Sequence, residues 1–179
     1  MIRLEYFTTN DITQLIEWSG DEAFLLQWAG PQFQYPLTEE QLLTYMQGAN
    51  DFQESDKLIY KVVDSETGDT IGHISLGAID RYNRSARIGK VLIGGSSARG
   101  KGFGVQMITE ALRIGFDELG LHRISLGVFD FNHSAIKCYE RAGFTKEGLI
   151  RDARRHHNEY WSLWEMGILE QEWRERKRP

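Results

Sequence analysis

The stretch from Ala86 to Leu119 reads ARIGKVLI, then GGSSA, then RGKGFG, and closes with VQMITEALRIGFDEL. Val91, Leu92 and Ile93 have the apolar, partly β-branched character of a buried strand. Gly94, Gly95, Ser96 and Ser97 break that strand. Gly100, Gly102 and Gly104 then bring a bare backbone to the start of an amphipathic helix. The first N–H groups of a helix have no partner within it and carry partial positive charge, so they attract anions. Glycines there let a pyrophosphate approach the backbone, and Arg99 and Lys101 add charge. The stretch reads as a strand feeding a phosphate cradle.

Spacing separates three cradle templates. Gly95 to Lys101 fits the opening of a P-loop, G-x-x-x-x-G-K, but the next residue should be Ser or Thr to hold magnesium, and it is Gly102. The dinucleotide pattern G-x-G-x-x-G, begun at Gly100, needs glycine where Val105 stands. The pattern Arg/Gln-x-x-Gly-x-Gly/Ala is filled by Arg99, Gly102 and Gly104, and it resembles the acetyl-CoA signature of the GNAT superfamily of N-acetyltransferases. A second motif follows the strand-like Arg123 to Val128. Asn132, Ala135, Tyr139, Gly143 and Phe144 match the superfamily's N-x-x-A-x-x-x-Y-x-x-x-G-F. The two motifs in this order cover residues 86 to 144. More loosely, Glu147 to Asp152 (EGLIRD) and the aromatic pair Tyr160 and Trp161 resemble the branch of ribosomal-protein and polyamine acetyltransferases.

The resemblance implies an α/β fold: a mixed, mostly antiparallel sheet flanked by helices, its central strands splayed to form a cofactor cleft. It implies acetyl-CoA as co-substrate and no metal. The cofactor-binding residues would be Leu92 and Ile93 through their backbones, the loop Arg99, Gly100, Lys101, Gly102, Phe103 and Gly104, and Asn132. Tyr139, seven residues after Asn132 and so about two helical turns on, would face the sulfur as catalytic acid to the leaving thiolate. A core tyrosine with a satisfied hydroxyl is the bland alternative. Many relatives carry a glutamate base on the central strand, and here Arg87 stands in that slot. His73, Asp80 and Glu147 are the substitutes considered, with a water relay left open. His156 and His157 lack metal-site spacing and read as loop residues bordering the acceptor entrance. Cys138 reads as a small helix residue rather than a nucleophile. Trp28 and Trp161 are the tryptophans expected to line the cleft.

At 179 residues, with 41% apolar and 26% charged residues, the chain is expected to form one domain, 1–179, with a real core. No apolar run approaches the ~18 residues of a membrane span. The opening M-I-R-L-E-Y lacks the apolar core of a secretory signal. The lone cysteine fits a reducing cytosol. A net charge of −5 argues against nucleic acid as partner. The expected partner is an amine acceptor, with a homodimer contact through the aromatic last strand. The function class is N-acetyl transfer, and a non-catalytic acyl-CoA-binding module is the rival.

Along the chain, Ile2 to Phe7 alternates as a strand. Thr9 or Asn10 caps a helix carrying Ile12, Leu15 and Ile16 on one face and ending at Gly20. Ala23 to Trp28 is a second helix. Thr38 with Gln41 opens a third, through about Gln47. Leu58–Val63 and Ile71–Ile79 form a hairpin. Leu149 and Ile150 suggest a short strand, Arg151 to Glu159 a polar loop, and Tyr160 to Leu169 a final strand. The charged tail is expected to fray.

Overall fold

The computed structural model describes residues 1–94 and 100–177. Its centre is a seven-stranded sheet in the order β1-β2-β3-β4-β5-β7-β6. The strands are β1 (Ile2–Tyr6), β2 (Leu58–Asp64), β3 (Thr70–Asp80), β4 (Ser85–Ile93), β5 (Arg123–Phe129), β6 (Thr145–His156) and β7 (Glu159–Leu169). The helices are α1 (Ile12–Trp18), α2 (Glu22–Ala29), α3 (Glu39–Met46), α4 (Phe103–Arg113), α5 (His133–Ala142) and α6 (Glu170–Arg176). All neighbouring strands run antiparallel except β4 and β5.

Alternation along β2 divides the core. Leu58, Tyr60 and Val62 join the cluster under α4 and α5, with Met107, Ile108, Leu112, Ile136 and Tyr139. Ile59, one position out of phase, joins Leu15, Leu25, Trp28, Phe33 and Leu42 of the α1–α3 side. Helices therefore cover both faces, as a strand with two buried sides requires.

β4 and β5 pair only at Ser85–Arg123, Ala86–Ile124 and Arg87–Ser125. Beyond that point each strand is held by its outer neighbour. β5 stays paired with β7 out to Phe129 and Leu163. β4 follows β3 through a bulge between Gly89 and Leu92, where Lys90 takes a φ of 50°. A bulge bends its strand and raises its twist. The two central strands therefore part after Arg87, and the expected splay is present.

Four features differ from the sequence reading. The first turn is capped one residue earlier, by Thr8, whose N–H and hydroxyl both reach Asp11 Oδ2 at 2.8 Å. The polar loop after Ile150 is instead, up to His156, the second half of β6, a strand exposed along nearly its whole length. It is the sheet edge, and a charged edge strand shows no apolar alternation to read. The aromatic last strand β7 lies between β5 and β6. It cannot offer the free edge on which a homodimer contact was expected. The tail does not fray before Lys177: α6 buries Trp173, whose indole N–H donates to Asp117 at 2.9 Å.

Candidate active site

Two cavities open along the parting of β4 and β5. The first, about 410 Å³, is lined by Val91 to Ile93, Gly104, Asn132, Cys138 and Tyr139. The second, about 560 Å³, is lined by Tyr45, Lys57, Ser75, Arg87, Phe129 and Arg154. They share Gln27, Trp28, Ile88, Gly89, Lys90 and Gly127 as a common wall. The site is thus two chambers meeting across the middle of β4.

The register of β4 decides which backbone groups face the first chamber. Gly94 N–H donates to Ile71 O on β3 at 2.8 Å. Antiparallel ladders alternate bonded and non-bonded pairs. Leu92, opposite His73, is therefore turned to β3, and Ile93, opposite Gly72, presents its N–H and C=O to the gap. Only Ile93 of the expected pair offers free backbone. Leu92 spends its polar groups on the sheet and its side chain on the α1–α3 core.

At the chamber's end, Gly102 caps α4 in the left-handed region, φ 77°, with no side-chain cap on the first turn. Gly100 is left-handed too, φ 79°. A Cβ on Gly104 would meet Cys138 Sγ at 3.2 Å, so glycine there also lets α4 approach α5. Phe103 puts its ring into the core, leaving only its backbone for a ligand. Lys101 is exposed beside the loop. Arg99 lies outside the described residues.

Asn132 is the N-cap of α5, its Oδ1 accepting from Ala135 N–H at 3.3 Å and from Ser134 Oγ at 3.2 Å. Tyr139 is only 7% exposed, its ring in the core beside Phe144. Among the described residues nothing hydrogen-bonds its hydroxyl, and the residue lines the first chamber. Burial, then neighbouring Cys138, pushes the phenol well above its ordinary range, so it keeps its proton at neutral pH. Burial likewise raises the Cys138 thiol, which suits a packing residue and not a thiolate nucleophile.

None of the substitute bases lines either chamber. His73 donates from Nδ1 to Lys90 O at 2.9 Å, and its Nε2 is sealed without a partner. Burial lowers its pKa to about 4, with the nearby Lys90 charge adding to the effect. Asp80 caps Asn83, and Glu147 forms a two-pronged pair with Arg123 at 2.6 Å. Arg87, in the usual glutamate slot, reaches across β5 instead. It bonds Ser125 Oγ at 3.2 Å and pairs through both terminal nitrogens with Glu165 on β7. A Cβ at Gly127 would stand 2.7 Å from Arg87 Nη2, so glycine clears the path. Arg87 is a clasp at the crotch of the two strands. Glu165, its partner, had no sequence motif to mark it.

Trp28 lines both chambers, as expected. Trp161 does not; it packs with Phe129, Phe131 and His156. His157 Nε2 lies 3.1 Å from Glu22, joining the β6–β7 turn to α2.

A family model described as "Acetyltransferase (GNAT) domain" matches residues 2–145. The chain belongs to the GNAT acetyltransferase family. It is 31% identical over 114 residues to the uncharacterized N-acetyltransferase p20 of Bacillus licheniformis, covering 64% of this chain and 63% of that one. It is 33% identical over 109 residues to a spermidine N(1)-acetyltransferase of Vibrio cholerae, covering 61% and 62%. The matched part thus spans less than two thirds of these relatives' lengths. The crystal structure of spermidine N-acetyltransferase from Vibrio cholerae in complex with CoA and spermine superposes with a TM-score of 0.81, at 24% identity, over 96% of this chain and 97% of that one. This last likeness establishes the GNAT fold. Among the described residues, no helix of this GNAT chain is long and apolar enough to cross a membrane.

Proposed function

We propose that the chain moves an acetyl group from acetyl-CoA to an amine by direct attack, with both substrates bound at once. The observation that carries this reading is the meeting of the two chambers at Ile88–Lys90 and Gly127. One has a glycine cradle, a free backbone edge and a protonated phenol. The other carries several charged side chains and is open to a second molecule.

The first chamber fits the donor. Beside its α4 end, a Cβ on Gly100 or Gly102 would meet no atom within 4 Å, so the loop backbone there stands clear. The first-turn N–H groups of α4, Lys101 and, from the sequence, Arg99 would hold the pyrophosphate. Ile93 would pair its backbone with the pantetheine amides, and Asn132 would shape the loop beside them. Acetyl-CoA, when bound, supplies a thioester, an acyl group already joined to a good leaving group. Tyr139 holds a proton at its hydroxyl where the sulfur's negative charge develops. The common wall brings the amine to the acyl carbon, which is the larger part of what the protein contributes. The amine gives up its proton to water in the open second chamber, since the sequence's candidate bases lie elsewhere.

This reading treats 1–179 as one acetyltransferase domain, because β7 completes the pairing of β5 and holds Glu165 against Arg87. It places the domain in a reducing cytosol, which its single, burial-raised thiol fits.

The test is release of CoA thiol from acetyl-CoA with a panel of primary amines, alongside calorimetric binding of acetyl-CoA. The expected result is one CoA and one N-acetylated product per turnover. Tight acetyl-CoA binding with no release for any amine would identify an acyl-CoA-binding module instead.

A further inference from the structure

The acceptor chamber has the wrong charge for a polycation. Four cationic side chains line it: Lys57, Arg87, Lys90 and Arg154. Arg87 is neutralised by Glu165. Among the described residues the other three have no carboxylate within ion-pair distance, and the one acid lining the chamber is the exposed Asp56. Lys90 is instead held by neutral groups. Its ammonium donates to Gln32 Oε1 and lies over the rings of Phe33 and Tyr45, 5.2 and 4.9 Å from their centroids. Tyr45 adds a hydroxyl that is sealed from solvent and has no hydrogen-bond partner among the described residues. Cations gathered in a concave wall concentrate anions and repel other cations.

We infer that the acceptor is an amine that also carries an anionic group, held by Lys57, Lys90 and Arg154 while its amino end meets the common wall. The inference rests on the acetyl-transfer reading and names the acceptor class for that same site. Burial, followed by repulsion from Lys57, already lowers Lys90 to about 8, the mark of a cation waiting for a countercharge. A carboxylate, as in an amino acid or an acidic peptide N-terminus, and a phosphate monoester share the required chemistry. A polyamine has none of it, whatever the related spermidine acetyltransferase acts on.

The experiment compares matched amines by CoA release at low ionic strength. Glutamate and O-phosphoethanolamine are set against glutamine amide, ethanolamine, putrescine and spermidine. Anionic members should show kcat/KM at least about tenfold above uncharged or polycationic ones, an advantage that added salt reduces. The carboxylate and phosphate arms tell the two sources apart. In Lys57→Gln/Arg154→Gln that preference should collapse through KM, with acetyl-CoA affinity kept, since neither residue lines the donor chamber. Spermidine or ethanolamine used as well as glutamate and O-phosphoethanolamine would overturn the inference. If no amine is acetylated, the acetyl-transfer reading fails by itself. The charge inference is then read from calorimetric titration of the CoA-saturated protein with N-acetylglutamate and N-acetylspermidine. Binding of the first alone, weakened by salt, supports it; binding of the second, or of neither, overturns it.

Discussion

Gly104→Glu should abolish measurable acetyl-CoA binding while the protein still folds. The residue sits in the first turn of α4, where uncapped N–H groups face the donor chamber. A carboxylate placed there takes the position of an incoming phosphate and repels it. The Cβ itself would meet Cys138 Sγ at 3.2 Å, a tight contact that a shift of a few tenths of an ångström relieves. Gly104→Ala carries that contact without the charge and separates the two effects. The alanine variant should lose about tenfold or less in affinity. The glutamate variant should lose at least about 100-fold, near 2.8 kcal/mol at ~1.4 kcal/mol per tenfold. Circular dichroism and thermal melts check the fold, and calorimetry reads the binding. Unchanged affinity in the glutamate variant would remove the glycine loop from the donor site.

Tyr139→Phe should leave binding alone and slow the reaction. Phenylalanine keeps the ring that packs beside Phe144 and removes only the hydroxyl, which bonds nothing among the described residues. A structural tyrosine would therefore tolerate the change with a loss of stability near zero. If the hydroxyl protonates the departing sulfur, kcat should fall roughly 10-fold to 1,000-fold, the range of positioned proton-transfer groups. KM for acetyl-CoA should stay within about twofold, since the group acts as charge develops and not in the ground state. An acceptor with an electron-poor thioester analogue as donor should narrow the difference, because a better leaving group needs the proton less. A variant with normal kcat would make Tyr139 a packing residue.

The parts of the fold that bury both sides of a chain segment were legible. β2, β3 and β4 announce themselves by apolar runs, and α4 by its period, because burial dictates residue type there. β6 was not legible, since an edge strand with both faces near water is free to be polar. α6 was missed for a related reason: one buried residue, Trp173, anchors a helix otherwise made of charged side chains. In the site, the motif residues Gly104, Asn132 and Tyr139 do line one chamber, since local spacing places them on two helix starts and one helix face. Leu92 and Ile93 could not be told apart without the register of β3, which only tertiary pairing sets. The Arg87–Glu165 clasp joins residues 78 apart in the chain, so no local pattern could reveal it. The basic acceptor wall is the same kind of feature. Lys57, Lys90 and Arg154 come from three different strands or their approaches, and their convergence is a property of the sheet order.

In direct attack, the acetyl group passes from thioester to amine in one step between the two chambers. The most direct measurement is a single turnover with enzyme in excess over acetyl-CoA, quenched at intervals and read by intact-protein and product mass spectrometry. With direct attack, CoA and N-acetylated acceptor appear together in equal amounts, neither appears without the amine, and the protein's mass never changes. An acetylated protein preceding the product, with the acetyl group on Cys138 or any other side chain, would contradict it.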